Sequence, residues 1–112
     1  MAKGDHLGEF EHLVMLALLR LKRDAYGMRV RREIQSRTER SVSIGSVYAT
    51  LDRLERKGYV VSSVGGPDAS SKGRARRYFD LTPKGGKALL RKQEAIQRMT
   101  EGLSVRRELE AL

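Results

Sequence analysis

The chain has 112 residues, with 23 Lys and Arg against 14 Asp and Glu, and a formal net charge of +9. An excess of that size favours a polyanionic partner, whether nucleic acid, an anionic membrane surface or an acidic protein. There is no cysteine, which excludes disulfide frameworks and thiolate metal sites.

The longest apolar run, residues 13–19, is far shorter than the roughly 20 residues of a membrane span. The opening MAKGDHLGEF has no basic-then-apolar signal pattern. A cytoplasmic protein without membrane association is expected. At this length the core is modest, and a partner subunit would add to it.

In chain order, Phe10, Leu13, Val14, Ala17, Leu18 and Leu21 recur at three- and four-residue steps and predict a first helix over 7–21. Met15, Leu16 and Leu19 lie off that stripe. A helix apolar on two faces is buried on two faces, and the second is expected to meet a second subunit. Asp24 is the expected N-cap of a second helix over 26–38, in which Tyr26, Val30 and Ile34 line one side. After a polar turn, Ser43 caps a third helix ending near Lys57, and Gly58 suits the left-handed position that follows. Helix, short turn and helix is the outline of a helix-turn-helix.

Residues 59–64 are rich in aromatic and β-branched types and predict a strand, stopped by Gly65, Gly66 and Pro67. Residues 75–81 predict the returning strand of a hairpin with a long basic tip. Thr82 followed by Pro83 marks a last helix: a hydroxyl cap, then proline at the first helical position. Along it Leu89, Ile96 and Leu103 fall at heptad spacing with Met99 on the same side, a narrow seam suited to pairing with another helix. Gly102 is expected to end or kink it, with a further apolar turn at Val105, Leu109 and Leu112.

The third helix and the hairpin carry the functional signal. On a wheel, Ile44, Val47, Leu51 and Leu54 form one side, while Ser46, Ala49, Thr50, Arg53 and Lys57 are placed opposite. Small and hydroxylated side chains at the N-terminal end let a backbone enter a groove, and the cations further on reach base edges or phosphates. Tyr48 sits at the border, its ring packed and its hydroxyl outward. Lys72, Arg74, Arg76 and Arg77 lie within six residues, a focus of charge suited to following phosphates or entering a minor groove. A solvated helix face beside a solubilising loop is the plainer account of the same residues. Cations concentrated on one element favour DNA contact. The deep A-form groove excludes such a helix, so structured RNA is disfavoured.

Enzyme chemistry finds little support. His6 and His12 are the only histidines and share no face well, and His6 with Glu9 is a weak metal spacing better explained as surface. Gly85-Gly86 lacks the strand that precedes a phosphate loop. No metal and no cofactor are expected.

Three segments, AYGMRVRREI at 25–34, SIGSVYATLDRLERKGYV at 43–60 and RRYFDLTPKG at 76–85, together resemble the PadR family of transcriptional regulators. The likeness extends over about residues 7–103. It implies a mainly α fold with a small β-hairpin: a winged helix-turn-helix over 1–81 and a C-terminal dimerisation helix over 82–112. It implies a homodimer on palindromic operator DNA, usually a repressor. The recognition helix maps onto 43–57 and the wing onto 59–81. DNA contacts are then expected at Ser43, Ser46, Tyr48, Ala49, Thr50, Arg53, Lys57, Lys72, Arg74 and Arg76. Dimer contacts are expected at Phe10, Leu13, Leu89, Ile96, Met99 and Leu103.

Some relatives hold flat aromatic compounds against aromatic side chains of the last helix. This chain has no Trp and no aromatic after Phe79. An apolar effector between subunits would instead meet Met99, Leu103 and the first helix, residues whose simpler use is dimer core. A winged-helix module that docks another protein without specific DNA binding is the alternative, since fold does not fix function.

Overall fold

Two hydroxyl caps start the helices that matter most. Ser43 Oγ accepts from the Ser46 N–H at 3.0 Å and opens α3 (Ile44–Arg56). Thr82 Oγ1 accepts from the Gly85 N–H at 3.0 Å and opens α4 (Pro83–Thr100). Each satisfies a donor that the first helical turn leaves free. Gly58, at φ 81°, follows α3 in the left-handed region expected of it.

The computed structural model describes residues 6–65 and 76–112. Around α3 and α4 it places α1 (Glu9–Leu21), a 3₁₀ turn (Lys22–Asp24), α2 (Gly27–Thr38), an antiparallel hairpin of β1 (Val60–Gly65) and β2 (Arg76–Leu81), and a short α5 (Val105–Glu110). The hairpin register runs from Val60 opposite Leu81 to Gly65 opposite Arg76. α4 stops at Thr100, before Gly102 at φ 83°.

Asp24 does not cap α2. It ends the 3₁₀ turn, and Tyr26 takes the N-cap position with extended backbone and no side-chain cap bond. The cause is tertiary. Ala25 O accepts from the Phe79 N–H at 2.9 Å and Tyr26 bridges Tyr78, so residues 25–26 add a strand-like edge to the hairpin. Edge-to-face packing of the Tyr26 and Tyr78 rings, centroids 5.6 Å apart, secures the junction. The turn between α2 and α3 is held from α2: Arg31 Nε donates to Val42 O at 2.7 Å, and Gln35 Oε1 accepts from the Val42 N–H at 3.1 Å.

The core joins Val14, Met15 and Leu18 of α1, Val30 and Ile34 of α2, Val47, Leu51 and Leu54 of α3, Tyr59, Val60 and Phe79 of the hairpin, and Ala88 and Leu89 of α4. Fully burying each large apolar side chain stabilises by about 1.5–3 kcal/mol. The buried line of α1 is rotated from the expected stripe: Met15 is fully buried, while Phe10 and Leu13 are only half-buried at its margin. Leu89 needs a larger correction. The heptad places it in the seam between subunits, but it is 6% exposed within its own protomer's core. The first two turns of α4 pack down on the winged unit, Lys92 Nζ still donates to Leu7 O at 2.8 Å one turn later, and beyond that turn the apolar side chains of the helix are exposed.

Leu90, Ile96, Met99, Leu103 and Leu109 are exposed, as is Leu19 on α1. The radius of gyration is 16.0 Å, against about 13 Å for a compact domain of this length. No helix among the described residues is long and apolar enough to cross a membrane.

Candidate nucleic-acid interface

α3 lies on α1 and α2 through Val47, Leu51 and Leu54, and turns its opposite side to solvent. Gly45, Ser46, Ala49, Arg53 and Arg56 are exposed there, with Asp52 half-exposed beside them. Nothing lies within 4 Å of a Cβ built on Gly45, so the N-terminal end of this face is open. Ser43 Oγ donates to Ser46 Oγ at 2.8 Å, which leaves the Ser46 hydroxyl hydrogen free to point outward.

Tyr48 is locked by its ring. A Cβ on Gly27 would overlap the ring and hydroxyl of Tyr48, so the absence of a side chain at the start of α2 makes the seat on which this tyrosine rests. The ring is packed and the residue remains 37% exposed.

Two of the residues expected on the outward face are not there. Thr50 is 3% exposed. At about 100° per residue it lies only about 40° from Leu54 and about 60° from Val47, on the margin of the buried side. Lys57 is next to it on the wheel, and its Nζ donates to Glu11 Oε2 at 2.9 Å, Glu11 Oε1 at 3.1 Å and His6 O at 3.3 Å. An ammonium has three donors, and all three are engaged. Gly45 and Arg56, to which the sequence reading gives no role, take the outward positions. The wheel signals both, since they stand nearly opposite the Val47–Leu51 row.

Glu11 is the other residue without an expected role. It shares the α1 row of Val14, Met15 and Leu18. A carboxylate in an apolar row demands a partner, and that is the signal the sequence carries. Its side chain is 7% exposed. It accepts from Gly8 N–H at 2.9 Å, Arg53 Nε at 3.1 Å and Lys57 Nζ. Burial pushes its carboxyl up, but the bonds from Gly8, Lys57 and Arg53 outweigh that and hold it below the ordinary 4.5.

A carboxylate so depressed contributes stability that is complete above its unfolded value and is lost as pH falls through the folded one. The thermal midpoint is therefore expected to fall more steeply below about pH 5 in the wild type than in Glu11→Gln. At pH 7 that variant is expected to be about 1–3 kcal/mol less stable, because two cations lose their acceptor. Thermal scans by circular dichroism from pH 7 to pH 3 check both. Parallel curves would remove Glu11 from the acid response. Glu33, held low chiefly by its hydrogen bond from Arg37 and also by Arg20, titrates in both proteins and cancels in the comparison.

The wing is tied to α3 by Arg77, which reaches Glu55 at 2.7 Å and Asp52 at 3.3 Å and lies 4.8 Å from the centre of the Phe79 ring. Arg76, exposed, stacks its guanidinium 4.2 Å from the centre of the Tyr26 ring. Lys72 and Arg74 lie outside the described residues. His12 Nε2 is 3.3 Å from Gln93 Oε1, and among the described residues no cluster of His and acidic side chains could hold a metal.

Three helices closed by an antiparallel hairpin, with α3 turning a polar and cationic face outward, define a winged helix-turn-helix of the DNA-binding class. The chain belongs to the transcriptional regulator PadR-like family, whose pattern its residues 15–91 match. It is a DNA-binding transcription regulator of that family. Among solved structures it is similar to a PadR family transcription regulator from hypervirulent Clostridium difficile, at 27% identity and TM-score 0.65 over 83% of this chain and 95% of that one. It is similar to a PadR-like transcription factor from Bacteroides fragilis, at 25% and 0.68 over 82% and 84%. It is also similar to RosR of H. salinarum, at 25% and 0.68 over 94% and 87%. No curated protein matches the chain.

Proposed function

We propose that the protein is a homodimeric repressor that binds a palindromic operator, with residues 82–112 as its dimerisation element. The observation that carries this is the pairing of one outward polar face on α3 with an uncovered apolar stripe on α4. One α3 helix per chain offers few contacts. Two, held about 34 Å apart by a dimer, enter successive major grooves and select two half-sites at once. A dimer astride the duplex blocks other proteins from it, which favours repression.

In this reading Gly45, Ser46 and Ala49 let α3 approach the groove floor, Arg53 reaches a base edge, and Arg56 and Tyr48 reach phosphates. Ser43 and the α3 N-terminus face a phosphate. Arg76, with Lys72 and Arg74, carries the wing contact. Thr50 is buried at the margin of the outward face of α3, and Lys57 is held there by Glu11. Phe10, Leu13 and Leu19 of α1 join Ile96, Met99 and Leu103 in the seam. An apolar effector would enter at its edge, in the groove of about 430 Å³ lined by Leu7, Ala88, Ile96 and Met99.

Selection of bound fragments from the source genome by the purified protein, at two salt concentrations, tests the proposal. Recovery of an inverted repeat is the expected result; recovery without any shared sequence would count against it. Arg74→Ala with Arg76→Ala is expected to weaken binding to every sequence alike. The slope of log affinity against log salt should flatten by about 0.9 for each phosphate that the wing no longer neutralises. An unchanged slope would take the wing off the DNA.

A further inference from the structure

We infer that Glu11, a buried acid on α1, is a specificity-determining positioning residue: it fixes Arg53 as a base reader and withholds Lys57 from the phosphates. The inference rests on the DNA-binding reading above and assigns a role inside it to a residue that faces no DNA.

Arg53 and Arg56 of α3 and Lys57 at its C-cap stand in three different states. Arg56 is exposed and has no ion-pair partner among the described residues, so no bond there fixes its guanidinium. Lys57 is 24% exposed in its side chain and has every donor engaged by Glu11 and His6. Arg53 is between them. Its Nε is bound to Glu11, Nη2 lies 3.4 Å from Thr50 Oγ1, and its side chain is still 48% exposed. Nε and one Nη2 proton are engaged, and three of the five guanidinium protons remain for a ligand.

An arginine held by its Nε has little rotamer freedom left to lose on binding, and its planar fork is already oriented. Such an arginine discriminates. A mobile cation adds affinity for any duplex. The same carboxylate subtracts one unit of positive charge beneath the recognition helix and occupies the lysine that would otherwise add a sequence-blind phosphate contact. Glu11 thus lowers attraction for random DNA while ordering the residue that reads.

The experiment compares wild type, Glu11→Gln, Arg53→Ala and the double variant. Each is titrated by fluorescence anisotropy against the operator recovered from the selection and against a scrambled duplex of the same length, at several salt concentrations. Glu11→Gln is expected to bind the scrambled duplex more tightly, with a salt slope steeper by about 0.9 from the freed lysine. The operator-to-scrambled affinity ratio is expected to fall about tenfold, the scale of one good base contact. In the Arg53→Ala background the same change is expected to leave the ratio where Arg53→Ala alone puts it. An unchanged ratio in Glu11→Gln, or an equal fall in both backgrounds, would overturn the inference.

All titrations run below the thermal transition of each variant. Should Glu11→Gln not fold, Glu11→Asp keeps the charge but is a methylene too short for the same bonds. It is expected to lower the ratio in the same direction, and no fall would overturn the inference. A wild type that recovers no operator would instead defeat the DNA-binding reading itself.

Discussion

Glutamate at both Ile96 and Met99 is expected to convert the protein to a monomer and to weaken operator binding about a thousandfold. Both side chains are exposed on α4, Met99 at 79% and Ile96 at 44%, and neither belongs to the protomer core. In a dimer seam each would bury enough surface to contribute about 1.5–3 kcal/mol. Carboxylates there would be desolvated without partners, so the pair loses the apolar gain and adds a penalty. The loss of affinity follows from geometry. In the proposed dimer, binding of one half-site would raise the effective concentration of the second α3 at its own half-site, worth about 10²–10⁴ in affinity with no new contact. A monomer forfeits all of it. Sedimentation velocity and anisotropy on operator and half-site duplexes check the result. The variant is expected to keep its helical circular dichroism and to bind operator and half-site alike. A variant that stays dimeric would place the seam elsewhere.

The second large effect is on stability. Gly85→Ala is expected to destabilise the fold by about 3 kcal/mol, lowering the thermal midpoint by roughly 12–24 °C, whereas Gly86→Ala is expected to stabilise it by about 0.5–1 kcal/mol. The two glycines are neighbours in the first turn of α4 with opposite surroundings. A Cβ on Gly85 would overlap the Tyr59 carbonyl oxygen and stand 2.8 Å from the carbonyl carbon. That contact is backbone on backbone, and both sides are tethered. Thr82 Oγ1 donates to Gly58 O at 2.6 Å, and the Thr82 N–H donates to Tyr59 O at 3.0 Å. No flexible tip can move aside, so α4 must shift off β1 or the strand must bend. Gly86 has nothing within 4 Å of its Cβ position, and alanine there brings only the gain in helix propensity. Thermal unfolding of the two variants side by side checks the pair. Equal midpoints would mean that α4 does not seat on Tyr59.

The residues that dictate their structure locally are the ones that were legible. Ser43, Gly58, Thr82 and Pro83 act through their own turn of backbone, and each stands where its chemistry places it. The apolar row of α3 was legible for the same reason, since Val47, Leu51 and Leu54 all lie on one side of a single helix. The helix order, the hairpin and the class of fold followed from these together.

The site was legible only in part. Ser46, Ala49 and Arg53 are on the open face of α3, but Thr50 is buried and Lys57 is bound to an acid 46 residues earlier. Periodicity states which side of a helix is apolar. It does not state how wide a neighbouring helix will be, or which polar residues that neighbour will bring. Glu11 stands out in the sequence only as an acid in an apolar row; its partners are two cations that reach it only after α1 packs against α3. Leu89 misled for a related reason: a heptad marks a face without saying whether one's own core or another subunit meets it. Asp24 lost the cap position to a backbone bond between Ala25 and Phe79, 54 residues apart in the chain.

By itself, then, the sequence determined the elements, their caps and the basic, groove-sized character of the third helix, because each depends on interactions within a few residues. Only the tertiary structure decided which cations of that helix are free, which is held and which is silenced. Those outcomes depend on the distance between side chains on different helices, and packing alone sets that distance.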